Sequence, residues 1–422
     1  MLTDTEQQKN VPNLRFPAFS GEWEEKRLGD LLMTVVDNRG KTPPISSHGI
    51  PLVETNALGN RYIKYSQVNK FVSDEIYHDW FRSYLEPQDI LFSTVGRTAI
   101  CSIYEAESTT AIAQNIVGLR FKNQEPYFMH YLLTEDRNNH KFKRIEMGAV
   151  QPSVKVSQMI DIKFRVPTFV EQKKIADFIS NVDKWIENLK DQKTKLEEYK
   201  RGMMQKIFSQ EVRFKPACSE ASGEGWDENG NKFPEWEETK LGQIATYSKG
   251  AALSKAEILE DGKNKCIHYG ELFTKYSELV TEIYSRTNVD PSISKLSKKN
   301  DILMPTSDVT PNGLATASAL SEEGVILGGD VLVIRSETLN NVFFAHYISA
   351  HKKDVMKLVQ GVTVYHLYGS HLAKMTIGYP TLEEQNKIAD FISSLDALVE
   401  AKDQQITKAE TWKKGLLQKM FV

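Results

Sequence analysis

RGKTPP, at Arg39–Pro44, ends like a phosphate-binding loop, with a lysine and a threonine behind a glycine. Such a loop also needs a glycine five positions before Gly40, where Val35 stands, so ATP binding here is excluded. Thr42-Pro43-Pro44-Ile45 has the diproline of the tetrad with which amino-methyltransferases hold a target amino group. The tetrad's Asn or Asp and its aromatic residue are missing, and no glycine-rich loop for a nucleoside cofactor follows a strand. Glu171-Gln172-Lys173 could close a nuclease motif, but its repeat reads Glu384-Gln385-Asn386. It also opens a helix, where a glutamate favours the dipole. Cys101, Cys218 and Cys266 are far apart, and no His/Cys or carboxylate cluster has metal-ligand spacing. The chain reads as non-catalytic, with no cofactor and no metal of its own.

Its polar chemistry is that of binding. Arg137–Arg144, RNNHKFKR, carries four fixed positive charges (Arg137, Lys141, Lys143, Arg144) and no acid. Arg39, Lys41, Arg61, Lys64 and Arg97 lie in Gly/Pro/Asn-punctuated stretches of the first half; Lys249, Lys255 and Lys275 do so in the second. Mixed with Gln151, Asn312, Tyr365 and His366, these loops suit phosphate positioning and hydrogen bonding to base edges. A solvated surface charge is the plain alternative for each. GAVQPSVKVSQ (Gly148–Gln158) and GVTVYHLYGSH (Gly361–His371) occupy matching places in the two halves. The net charge of −3 argues against a purely electrostatic nucleic-acid binder and leaves room for local basic faces.

The elements that must carry these residues are duplicated. WEEKRLGDL at Trp23–Leu31 returns as WEETKLGQI at Trp236–Ile244, IADFIS at Ile175–Ser180 returns at Ile388–Ser393, and KRGMMQKIF at Lys200–Phe208 returns as KKGLLQKMF, each 213 residues later. Between 167–209 and 380–422, 22 of 43 positions are identical. The middles match only in a strand-like skeleton, as in DILFSTVGRTAI at Asp89 and DILMPTSDVTPN at Asp301. Ile175, Val182, Leu189, Leu196 and Met203 lie seven apart, which is coiled-coil spacing. Forty residues of helix make a rod of roughly 60 Å. The spacing predicts two such rods paired along their length, antiparallel if a pseudo-twofold relates the halves. The expected fold is α+β: mixed α/β domains at 1–166 and 233–379, helices at 167–209 and 380–422, and a Gly/Ser/Glu/Asn-rich linker at 210–232. No apolar run approaches the length of a membrane helix and no signal-peptide core opens the chain, so a cytoplasmic protein is expected.

Two variable regions, each followed by a repeated P-x-x-x-EQ-x-K-I-A helix and each containing a D-I-L strand, resemble the specificity subunit (HsdS) of type I restriction-modification systems. The resemblance covers nearly the whole chain. It implies two target-recognition domains, each reading one half of a split site in double-stranded DNA, with the conserved helices setting the spacing between them. It implies docking of two modification subunits (HsdM), which bind S-adenosylmethionine and methylate adenine, and a motor-nuclease subunit (HsdR) that works with ATP and Mg. By the same resemblance the helix starts form the subunit interface, through Glu171, Gln172, Ile175, Phe178, Ile179 and Val182 in one copy and Glu384, Gln385, Ile388, Phe391, Ile392 and Leu395 in the other. It assigns no base-reading residues, because the family has no fixed motif for them. The competing reading is a non-enzymatic coiled-coil adaptor joining two protein-binding domains.

Overall fold

A computed structural model describes residues 10–38, 40, 42–106, 108–148, 150–214, 234–251 and 253–422. The expected linker lies outside the described residues from position 215 onward, as does Cys218. The chain forms two compact units: Met1–Lys190 with Gln404–Val422, and Asp191–Asp403. Each unit therefore holds about half of each long helix.

In the first unit, β1 (Leu32–Val36), β2 (Ile90–Ser93), β3 (Cys101–Ile103) and β4 (Ile116–Phe121) form an antiparallel sheet in the order β1-β4-β2-β3. All four residues of β2 are buried, which is why the strand reads as an unbroken apolar run. Helix α1 (Pro126–Thr134) adds Phe128, Met129, Leu132 and Leu133 to the same core. Helix α2 (Asp136–Arg144) follows at once, with only Asn138 and Phe142 buried. The long helix α3 spans Phe169–Phe208. In the second unit β5 (Thr246–Lys249), β6 (Leu279–Val280), β7 (Asp301–Pro305), β8 (Ser318–Leu320) and β9 (Val331–Arg335) run in the order β5-β9-β7-β8-β6. Helix α4 (Asn341–Ala350) packs in that unit's core, and α5 spans Leu382–Met420.

The aspartate of each D-I-L strand has a defined task. Buried Asp89 accepts from Arg120 Nε at 2.9 Å, from its Nη2 at 2.8 Å and from the Glu86 backbone N–H at 2.8 Å. Asp301 does the same with Arg335, at 2.5 and 2.9 Å, and with the Lys298 N–H at 2.8 Å. A bidentate guanidinium on a buried carboxylate fixes the strand beside it and the turn before it.

The long helices pair antiparallel within each unit. In the first, Ile175, Ile179, Val182, Ile186 and Leu189 share a core with Ile406, Ala409, Leu416 and Met420. Lys190 meets Glu410 at 2.6 Å and Lys413 meets Asp183 at 2.5 Å. In the second, Ile207 and Phe208 share a core with Ile388, Ala389 and Ile392; Lys193 meets Asp403 at 2.5 Å and Lys200 pairs with Asp396. Asp183–Lys413 and Asp396–Lys200 are the same pair made twice. Each buried isoleucine contributes about 1.5–3 kcal/mol, against about 0–1 kcal/mol for an exposed ion pair such as Lys190–Glu410, so the apolar seam does most to hold the helices. Leu196 and Met203 are only half-buried, because Lys193 and Lys200 cross the seam beside them to reach carboxylates.

The Glu-Gln pair at each helix start is buried and committed within its own unit. Glu171 accepts both Nε and Nη2 of Arg15 at 2.8 Å; Glu384 accepts those of Arg213 at 2.6 and 2.8 Å. Gln172 accepts the Glu125 N–H at 3.0 Å and donates to the Pro167 carbonyl at 2.9 Å. Gln385 accepts the Asn340 N–H at 2.8 Å and donates to the Pro380 carbonyl at 2.9 Å. Each glutamine thus ties the N-terminus of α1 or α4 to that of the long helix.

His130 of α1 is buried, and burial, helped by nearby Lys413 and Arg61, pushes its pKa down to about 4. The unfolded chain takes up a proton near pH 6.5 that the folded unit refuses until about pH 4. Its contribution is therefore complete above pH 6.5 and is lost as pH falls through that window. Between pH 7 and pH 4.5 the wild type should lose about 2–3 kcal/mol more stability than His130→Gln, by urea unfolding at both pH values.

Candidate nucleic-acid interface

Each unit uses backbone hydrogen bonds to lay two loops side by side. In the first unit the Thr94 N–H donates to the Asn115 carbonyl at 2.8 Å, and the Thr94 carbonyl accepts the Val154 N–H at 2.8 Å. In the second, the Thr306 N–H donates to the Asp330 carbonyl at 2.9 Å, and the Thr306 carbonyl accepts the Leu367 N–H at 3.0 Å. The loop after β2 is thereby fixed to the hairpin at 147–153, and the loop after β7 to the hairpin at 360–366. The Gly96 N–H to Pro152 carbonyl bond, at 2.8 Å, completes the first contact; antiparallel pairing of Ser307 with His366 and Asp308 with Tyr365 completes the second.

Both hairpins are closed in the same way. Met147 and Ser153 exchange backbone hydrogen bonds at 2.9 and 2.8 Å, and Gln360 and His366 do so at 2.9 and 2.7 Å. Each loop begins with a glycine at positive φ, Gly148 at +91° and Gly361 at +125°. A Cβ at Gly148 would lie 2.7 Å from the Gln151 carbonyl oxygen, and one at Gly361 would overlap that of Val364, so only glycine fits. Val150 and Gln151 stand exposed at one tip, and Val362, Thr363 and Val364 at the other. Beside the first tip Arg97 is exposed; beside the second are exposed Val309 and Asn312. The Asp308 carboxylate shapes this last loop by accepting from the Val309 N–H and the Thr310 hydroxyl, both at 2.7 Å. The two faces present hydrogen-bonding and apolar groups. Among the described residues no cluster of His, Cys, Asp or Glu is disposed to hold a metal.

Several residues expected to face DNA are committed elsewhere. Arg61 donates to Ser180 Oγ at 3.0 Å, lies over the rings of Tyr62 and Tyr127 and stands 3.9 Å from Asp183, so it braces the domain against α3. Arg137 bonds Glu135 at 3.0 Å and the carbonyls of Gln418 and Phe421 at 2.6 and 2.9 Å, neutralising the C-terminal end of α5. Lys141 reaches the Lys163 carbonyl at 3.0 Å and lies over Phe164, and burial lowers its pKa. Lys143 is held by Thr98 Oγ1 at 2.9 Å, Lys249 faces Asp330 at 3.5 Å and Lys275 pairs with Glu271 at 2.8 Å. The basic stretch 137–144 is thus chiefly a bracing helix, and among the described residues Arg144 alone of its four cations is exposed without such a bond. Lys64 and Lys255 are exposed, and Tyr365 and His366 are half-buried in the second hairpin. Arg39 and Lys41 lie outside the described residues.

Most residues expected at the subunit interface lie in the chain's own cores. Ile175, Ile179, Val182, Ile388, Ile392 and Leu395 are buried in the chain's own cores, together with Glu171, Gln172, Glu384 and Gln385, because the helix starts must anchor the domains. Phe178 packs against Phe16 at 5.7 Å and Phe391 against Phe214 at 5.3 Å, leaving both partly exposed. The exposed large apolar residues of the helices are Phe169, Val170, Trp185, Tyr199, Leu382, Leu398 and Trp412. Sequence reading also passed over Val150, Val309, Val362 and Val364; the available signal was a glycine at the same place in both halves.

Two like frames displaying unlike exposed loops define a duplicated recognition protein. The type I restriction modification DNA specificity domain matches residues 20–198 and again 234–411, and the chain belongs to that family. The MjaVIII type I restriction enzyme specificity subunit of Methanocaldococcus jannaschii is 25% identical over 424 residues, covering 97% of this chain and 93% of that protein. Two solved structures share the fold. One is a chain from a study of the assembly and conformational transition of a type I R-M system, with a TM-score of 0.59, 15% identity, and 94% and 97% of the two chains covered. The other is the type I S subunit from M. genitalium, with a TM-score of 0.56, 15% identity, and 98% and 99% covered.

If the paired loops face DNA, Arg97 and Gln151 have separable roles. Arg97→Ala should weaken binding to all sequences alike and reduce the log–log salt slope by up to about one unit. Gln151→Ala should leave the slope unchanged and relax preference at one base pair. Titration of specific and unrelated duplexes at several salt concentrations distinguishes the two.

Proposed function

We propose that the chain is the DNA-specificity subunit of a type I restriction-modification complex, without catalysis of its own. Each unit reads one half of an asymmetric bipartite site in double-stranded DNA. The observation that carries this is the pair of matching backbone frames, Thr94 with Asn115 and Val154 and Thr306 with Asp330 and Leu367, holding loops of different sequence. One frame with two loop sets is what reading two different half-sites requires. The partners are two modification subunits (HsdM), one for each copy of the repeat, and motor-nuclease subunits (HsdR) joined through the complex. S-adenosylmethionine, ATP and Mg belong to those partners and act in the assembled complex, in the cytoplasm; no described helix is long and apolar enough to cross a membrane. With the inner faces of α3 and α5 committed, partner docking falls to their exposed residues, Trp185 and Trp412 in the first unit and Tyr199 and Leu398 in the second.

Co-expression with a modification subunit from the same genome, followed by mapping of methylated adenines, tests this reading. It requires one asymmetric two-part motif that vanishes when the chain is omitted.

The paired helices act as the ruler between the half-sites. Four residues inserted at register-matched points in α3 and α5 add about 6 Å and a little over one turn, so the seam nearly realigns. The unread gap should then grow by one or two base pairs of about 3.4 Å each, with both half-sites unchanged. Two-residue insertions should turn the seam outward and destabilise the protein. Methylation mapping of the four-residue variant checks the gap, and an unchanged gap in an active complex removes the ruler role.

A further inference from the structure

We propose that Val150 and Val362 are base-reading residues, each packing on the 5-methyl group of a thymine in its unit's half-site, an inference that rests on the DNA-recognition role above. Val150 is 100% exposed and Val362 is 90% exposed. A single exposed valine is ordinary on a protein surface. Here one stands at the same loop in each unit, and both loops are closed at their bases by exchanged backbone hydrogen bonds. Backbone hydrogen bonds close each hairpin, and a glycine that no other residue can replace bends it. Loops held in this way lose little conformational freedom on binding.

The composition of the tips narrows the ligand chemistry. Neither 148–152 nor 361–365 contains a charged residue, so neither tip is a phosphate clamp. Each offers an apolar branched side chain next to a hydrogen-bonding one, Gln151 in the first unit and Thr363 in the second. In the major groove the apolar feature of a base edge is the thymine methyl, and the amide that suits its partner adenine is Asn or Gln, bonded to N6 and N7. Val150 with Gln151 therefore fits an A·T pair, with the methyl on the valine and the adenine edge on the amide. Val362 with Thr363 fits a thymine contact through the same apolar chemistry. In the first unit the Gly96–Pro152 bond holds the Arg97 loop against this tip, which gives a phosphate contact to the same approach.

The test uses the chain assembled with its modification subunits, after methylation mapping has defined both half-sites. In synthetic duplexes each thymine of the half-sites is replaced singly by uracil, which removes only the methyl group. One replacement in each half-site should weaken binding by about fourfold, the effect of one buried methyl-sized group. Val150→Ala should abolish the sensitivity in one half-site and leave the other intact, and Val362→Ala should do the reverse. Sequence-specific methylation with no uracil effect in the wild type, or with an effect unchanged in both variants, overturns the role of the valines and leaves the recognition role standing. A complex that methylates no defined sequence overturns the recognition role, and this inference with it. The wild-type uracil series does not depend on the folding of any variant.

Discussion

Asp183 meets Lys413, Asp396 meets Lys200, and around each pair the isoleucine faces of α3 and α5 close on each other. Both units need this pairing, because neither contains a whole long helix. The first draws its seam from the start of α3 and the end of α5, and the second from the end of α3 and the start of α5. A core assembled from segments so distant in sequence gains little until both helices are present. The folding of either unit is consequently tied to the integrity of the whole chain, since the strands share their cores with these helices.

The buried charges divide the work in a consistent way. Arg15 on Glu171 and Arg213 on Glu384 dock the chain segments that lie against the helix starts, as Asp89 with Arg120 and Asp301 with Arg335 lock the sheets. Removing one member of such a buried pair leaves an uncompensated charge, which costs several kcal/mol, whereas the exposed pairs along the rods are individually weak. Strong electrostatics therefore sit within the sheets and where domain meets helix. The Glu-Gln pair that opens each long helix therefore mounts a domain on that helix, while Trp185 and Trp412 stand exposed.

The architecture was legible in the sequence because it was written twice. A 213-residue offset and a seven-residue apolar spacing sufficed for the duplicated mixed α/β domains and for the long antiparallel helices. The roles of single residues were not legible, for physical reasons. A lysine in the sequence does not disclose whether its ammonium meets water, as an exposed residue does, or a carbonyl and a ring, as Lys141 does. Arg61 and Arg137 looked like free cations and are braces, since their partners Asp183 and the end of α5 are far away along the chain. An apolar heptad column likewise does not say which neighbour buries it. The hairpins at 147–153 and 360–366 were visible as matching stretches, but backbone hydrogen bonds, which leave no trace in side-chain identity, revealed them as matched frames.

Main-chain hydrogen bonds and one glycine hold each hairpin, and Val150, Gln151, Val362, Thr363 and Val364 stand exposed at the tips. The tip residues are consequently close to neutral for folding stability. Substitutions there can alter what is recognised without drawing on the small margin that keeps a protein folded. Such a scaffold is evolvable in a specific sense: mutation can explore new recognition at the tips while the frame stays fixed, and each tip can do so independently of the other.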